Sequence, residues 1–203
     1  VYSVEVFQPG ETIPEEHFEL LPIELNSQQP PLIIGSGPAG LFAALRFVER
    51  GVPCKIFERG SQCKERMQSI AKFWRYGQLD KNNNVCFGEG GAGLFSDGKL
   101  ITRIKSPHIP YVMDRLVKFG APEEIKYLAN PHVGSDRIRR VIPKIREFLI
   151  NNGCEIHFDN EVIELIYNNK NVVGLKTVTN EVFNSDHIIL ACGHSAESFF
   201  QHL

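Results

Sequence analysis

The chain has 203 residues, 42% of them hydrophobic and 23% charged, with a formal net charge of −2. That is enough apolar residue for one full core, which excludes a disordered chain, and the absence of a basic stripe interleaved with aromatics excludes nucleic acid as a partner. The apolar runs around 41–48 and 188–192 are too short for a membrane span and no signal peptide is read, so a soluble cytoplasmic protein, with no membrane partner, is expected.

Residues 1–7 alternate in the manner of a strand, and 8–30 are rich in Pro, Glu and Gln like a linker, so 1–30 reads as the end of an upstream subdomain. The nucleotide-binding domain is then expected over 31–203. At its start every part of a dinucleotide-binding βαβ unit follows in order. Leu32, Ile33 and Ile34 form a short apolar strand, and Gly35-Ser36-Gly37-Pro38-Ala39-Gly40 stands at the strand-to-helix turn where a pyrophosphate would sit. Gly35 permits the tight turn, Gly37 removes a Cβ that would meet the phosphates, and Gly40 lets the helix lie close to the strands. The helix from Pro38 carries Leu41, Ala44, Leu45 and Val48 at helical spacing and stops at Gly51. Its N-terminal amides favour an anion.

Residues 52–57 read as the second strand, and Glu58 falls at its carboxyl end, where a carboxylate can accept from ribose hydroxyls. That acid favours the unphosphorylated adenosine ribose of FAD or NAD, and this stretch alone does not choose between them. Arg59 beside it reads as a phosphate or surface contact. A helix is expected over 61–76, containing Arg66, with Phe73, Trp74 and Tyr76 packing into the core.

The stretch 87–100 is the second candidate for the site. Its glycines, Gly90, Gly91, Gly93 and Gly98 among them, read as backbone approaching a ligand rather than as packing. Ala92 lies among the glycines; Ser96, Asp97 and Lys99 add a hydroxyl, an acceptor and a cation, with Lys99 expected near the flavin edge or its phosphates.

Two short helices are expected at 111–119, stopped by Gly120, and at 122–129, opened by Pro122. Residues 131–136 should cap a longer helix with Ile138, Val141, Ile142, Ile145 and Leu149 on its apolar face, a kink at Pro143, and Arg137, Arg139 and Arg140 on its solvated face. A strand at 154–158, a three-stranded meander over 161–183 turning at Asn168-Asn169 and Thr179-Asn180, and a buried strand over 187–193 complete the pattern. The last ends at Ala191-Cys192-Gly193, placing His194 and Ser195 beside the crevice where open α/β sheets bind ligands. The fold class is thus α/β: a Rossmann-like parallel sheet with helices and an inserted antiparallel β-meander. The five cysteines show neither Cys-x-x-Cys nor metal-ligand clustering; no metal is expected, and inert reduced packing is. This argues against a disulfide reductase with a redox-active pair.

In this order the cradle, the acid, the meander and Ala191-Cys192-Gly193 resemble the two-dinucleotide-binding flavoproteins, whose last strand ends in Ala-Thr-Gly. More narrowly, Phe87–Lys99, Pro131-His132-Val133-Gly134 and Gly193-His194-Ser195-Ala196 resemble a bacterial family described as FAD-dependent or NAD-utilising dehydrogenases. The resemblance implies FAD as cofactor, NAD(P)H as co-substrate and a small-molecule substrate. It also implies that Glu58 binds the adenosine ribose, that Arg66 approaches the pyrophosphate or ribose, that Val162 contacts adenine through its backbone, and that a C-terminal substrate domain lies beyond this chain. An NAD-dependent dehydrogenase without flavin and a non-catalytic nucleotide-binding module are the alternatives.

Overall fold

The computed structural model describes residues 8–10, 22 and 28–201. The strand expected at 1–7, and most of the linker expected at 8–30, lie outside the described residues.

Four strands of three residues each form a parallel sheet in the order β3-β2-β1-β7: β1 Leu32–Ile34, β2 Lys55–Phe57, β3 Glu155–His157 and β7 Ile188–Leu190. Ile33 pairs with Ile56 on one side and Ile189 on the other. Both faces are covered, as the unbroken apolar runs require. Ile33 and Ile56 turn to one layer, where helix α1 (Pro38–Val48) and helix α4 (Ser135–Asn151) bury Leu41, Leu45, Val141, Ile145 and Leu149. Leu32, Ile34 and Phe57 turn to the other, where they meet Leu165 and Leu175 of a meander made of β4 (Val162–Asn168), β5 (Asn171–Thr177) and β6 (Val182–Asn184). The meander turns at Asn169 and Asn180, both left-handed, a conformation asparagine tolerates. No helix among the described residues is long and apolar enough to cross a membrane.

Several expectations are corrected. The second strand begins at Lys55 rather than at 52, because Pro53 has no N–H to give a ladder. Helix α3 runs over Ile109–Lys118, while 122–129 yields only a 3₁₀ turn at Glu123–Lys126. That segment is too short for cooperative helix formation and ends before Pro131, which restricts Asn130. Helix α4 runs unbroken through Pro143, with buried Ile142 and Ile145 on either side. Arg139 does not lie on the solvated face: it is half-buried, its guanidinium 4.9 Å from the Phe95 ring centre. Helix α2 (Cys63–Tyr76) buries Cys63, Arg66 and Ile70, but its last turn leaves Phe73, Trp74 and Tyr76 exposed rather than in the core. A four-residue helix α5 (Glu197–Phe200) was not legible as a periodic segment.

Candidate functional site

The cradle is shaped by three glycines that differ in what surrounds them. Gly35 takes a φ of +105°, and a Cβ there would lie 2.4 Å from the Ala191 carbonyl oxygen, so glycine lets the turn press against the end of β7. At Gly40 a Cβ would lie 1.9 Å from the Gly35 carbonyl oxygen, which fixes the close approach of α1 to β1. Gly37 is different. Its φ is −70°, open to any residue, and among the described residues a Cβ there would meet only the Gly91 Cα, at an ordinary 3.8 Å. Gly37 is the N-cap of α1 with no side-chain cap, and Pro38 opens the helix, so its first amide donors are left for an anion.

Glu58, at the end of β2, is tied into the cradle. Ser36 donates to one carboxylate oxygen from its N–H at 2.9 Å and its hydroxyl at 2.8 Å, and the Gly60 N–H donates to the other at 2.9 Å. A carboxylate has about four acceptor positions. Three are used inside the protein, which leaves one for a ligand hydroxyl. Ser36 itself is fully buried; its carbonyl accepts from Gly90 N–H at 2.9 Å, so it joins the cradle to the second glycine-rich stretch.

That stretch is held from behind by charge. Arg66 is completely buried and donates to the carbonyls of Asn84, Val85, Gly88 and Glu89 at 2.6 to 3.2 Å. Burial pulls its pKa down to about 10, opposed by Glu58 and other anionic neighbours, so it is still a cation at neutral pH. Glu89, equally buried, accepts from the Cys63 N–H at 2.7 Å and from Arg146 at 2.8 Å. The result is a second wall tied to α2 and α4. Gly91, at φ +61°, packs so tightly on the cradle that a Cβ would stand 3.1 Å from the Gly37 Cα.

Between these walls lies a cavity of about 640 Å³ at the carboxyl ends of β1, β2 and β7, within the usual range for cofactor clefts. Gly35, Gly37, Pro38 and Ala39 line it from the cradle, and Glu58 and Arg59 from the end of β2. Gly91, Ala92 and Gly93 line it from the second stretch, Val162 from the meander, and Ala191, Cys192, Gly193 and His194 from the end of β7. Burial raises the pKa of the Cys192 thiol.

Eight expected site residues do not reach the cavity lining: Ser36, Gly40, Arg66, Gly90, Ser96, Asp97, Gly98 and Lys99. Arg66 lies behind the second wall, with four of its five N–H groups on backbone carbonyls. The run from Ser96 to Lys99 is turned away: Lys99 Nζ pairs with Asp97 at 2.9 Å on the surface, and His132 bonds the Asp97 carbonyl through Nε2. Gly98 is explained by the protein itself, since a Cβ there would lie 2.6 Å from the Gly134 backbone nitrogen.

Other lining residues were not anticipated. Phe87 lies 3.7 Å beneath the Arg59 guanidinium, which also reaches Glu161 at 3.4 Å and donates to the Lys81 carbonyl at 2.9 Å. Phe57, Phe199 and Phe200 make the wall largely apolar. Glu161 stands directly before Val162, and that adjacency was its one available signal; Phe57 stands just before Glu58 and Phe87 opens the stretch at 87–100, whereas Phe199 and Phe200 had no signal.

Residues 31–201 match the model of a family described as pyridine nucleotide-disulphide oxidoreductase. An uncharacterized protein of Clostridium beijerinckii is 40% identical over 173 residues, covering 85% of this chain and 32% of that protein. The chain therefore spans about a third of the length of this relative. Among solved structures, Thermovibrio ammonificans THI4 is similar at a TM-score of 0.52 and 19% identity, over 86% of this chain and 60% of that one. L-Amino acid deaminase from Proteus myxofaciens is similar at 0.51 and 14%, over 90% and 50%. Both likenesses concern the fold.

Proposed function

The chain belongs to the pyridine nucleotide-disulphide oxidoreductase family, and on that footing we propose that it is the FAD-holding part of an oxidoreductase using NAD(P)H as donor or acceptor. One observation carries the reading. Gly37 is a glycine that neither its φ nor its neighbours among the described residues require, and it lines the cavity at the uncapped N-terminus of an eleven-residue helix. Room kept free beside open amide donors suits a diphosphate.

The other residues fit the same group. The remaining acceptor position of Glu58 suits a ribose hydroxyl, and a carboxylate there disfavours a 2′-phosphate. Arg59, over the Phe87 ring and paired with Glu161, forms one side of the slot beside Val162. Phe57 and Phe199 supply an apolar wall that excludes water. FAD, when bound, supplies the hydride or electron-pair chemistry, and the chain binds and orients it. A small-molecule substrate, and a further substrate domain of the same protein, belong to this proposal. So does a cytoplasmic setting, which suits five cysteines in the free state.

The test is extraction. Purified protein should be yellow and release FAD on denaturation, and NADH or NADPH should bleach the bound flavin of the full-length protein. A colourless protein that binds NAD but takes up no FAD would be an NAD-dependent dehydrogenase without flavin. A flavin that neither nicotinamide nor other donors reduce would make the chain a binding module.

A further inference from the structure

At the end of the parallel sheet opposite the cavity, two thiols meet. Cys54 Sγ and Cys154 Sγ are 3.5 Å apart, and the Cys54 N–H donates to Cys154 Sγ at 3.4 Å. The backbone brings them together. Lys55 pairs with Glu155, and the Glu155 N–H donates to the Cys54 carbonyl at 3.1 Å, so the cysteines occupy adjoining places just before β2 and β3. Neighbouring strands lie about 4.8 Å apart, inside the roughly 4.4–6.8 Å Cα separation that a disulfide spans. Gly153, left-handed at φ +87°, turns the chain out of α4 to put Cys154 there. Both side chains are buried, at 2% and 5% exposure, and Cys154 follows the buried Leu149, whose carbonyl accepts its N–H.

We propose that Cys54 and Cys154 are a reversible dithiol–disulfide pair which, oxidised by a hydroperoxide, locks β2 to β3. The inference rests on backbone register and thiol geometry and is independent of what fills the cavity.

The chemistry has a defined direction. The Cys54 N–H donates to the Cys154 sulfur and to no other, which favours the thiolate form at Cys154 and makes it the attacking group. Its sulfur attacks one oxygen of hydrogen peroxide, the O–O bond breaks, and a sulfenic acid and a first water result. The Cys54 sulfur then displaces the sulfenic oxygen, which leaves as a second water, and the S–S bond forms. Two S–H bonds and one O–O bond are lost; two electrons and two protons pass from the thiols to the peroxide. Access is gated, because both thiols are in the core. Since β3 is an edge strand of the sheet, local opening there sets the rate. Exposed Cys86 reacts faster but has no such neighbour among the described residues.

Protein whose accessible thiols have been alkylated under native conditions is exposed to hydrogen peroxide, denatured, treated with a second alkylating reagent and digested for mass spectrometry. A linked Cys54–Cys154 peptide pair, about 2 Da lighter than the two free peptides together and reversed by dithiothreitol, is the expected result. In protein not first alkylated, titratable thiols fall from five to three under glutathione redox buffers. Because the closed loop spans 100 positions, the linked form should melt on the order of 10 °C higher than the reduced form. Cys54→Ser and Cys154→Ser should each abolish the link, and the redox-buffer titration of unmutated protein gives the same answer if either variant fails to fold. Recovery of both cysteines with the second reagent after exposures that exchange the β3 amides overturns the pair. A link that leaves the melting temperature unchanged overturns the lock.

Discussion

In the cradle at 35–40, Gly37 has an ordinary φ of −70° and its Cβ would make only an ordinary 3.8 Å contact, whereas in the stretch at 87–98 Gly88, Gly91 and Gly98 all take positive φ and have close protein neighbours. A Cβ on Gly88 would lie 2.5 Å from the Arg66 side chain, and one on Gly98 2.6 Å from the Gly134 backbone. Both stretches wall one cavity. Yet most glycines of the second serve the protein's own packing; only Gly93, with no positive φ and a Cβ that would meet just Pro38 at 3.8 Å, is as unconstrained as Gly37, and both line the cavity. A glycine in sequence signals close approach; only its surroundings say whether the approaching group is protein or ligand.

The sharpest way to break that comparison is Gly98→Ala, which combines a left-handed backbone with a backbone clash and should cost roughly 3 kcal/mol in urea unfolding. Cofactor affinity of the folded fraction should hold. Loss of affinity at full stability would return this loop to the ligand.

Gly37→Ser should do the reverse. Serine is a better N-cap than glycine, so stability should hold or rise, while the added side chain enters the cradle and weakens FAD binding by about 10- to 100-fold. Equilibrium dialysis and thermal melting on the same sample separate the two. Unchanged affinity would remove the main support for the diphosphate site.

A smaller effect on affinity is expected from Glu58→Gln: the amide keeps one acceptor oxygen but loses the charge that strengthens bonds to hydroxyls, and its NH2 replaces an oxygen that accepted from Gly60 or Ser36. FAD and ADP should lose affinity by about the same factor, near tenfold, since both present the same ribose. Calorimetric titrations that weaken FAD alone would place Glu58 away from the adenosine end.

Smallest of all is Lys99→Met. The Asp97–Lys99 pair is more than three-fifths exposed on both sides and outside the cavity, so stability should change by less than about 0.5 kcal/mol, with flavin affinity and midpoint potential unmoved. A shifted potential would restore Lys99 to the flavin.

Local chemistry made much of this protein readable from its sequence. The apolar triplet Leu32–Ile34 marks a strand buried on both faces, whereas the strand expected to be buried over 187–193 is only Ile188–Leu190, at the sheet edge with Leu190 exposed; Gly51 and Gly77 mark helix stops; Asn169 and Asn180 mark the turns of the meander. The spacing from Gly35 to Glu58 marks a cradle and its acid. Each depends on a residue and its near neighbours along the chain. What depended on distant segments was decided by tertiary structure alone. That Arg66 is enclosed by four carbonyls from 84–89 has no counterpart in local sequence. The Arg59 guanidinium stands 3.7 Å from the Phe87 ring centre, and Ser96–Lys99 fall outside the cavity lining where Gly98 packs on Gly134. Cys54 and Cys154, 100 positions apart, became neighbours through the register of β2 and β3. Sequence carries the periodicity and turn chemistry that build each element, but which side chain faces a ligand is set by the groups that other elements bring to it, and those contacts have no spacing to read.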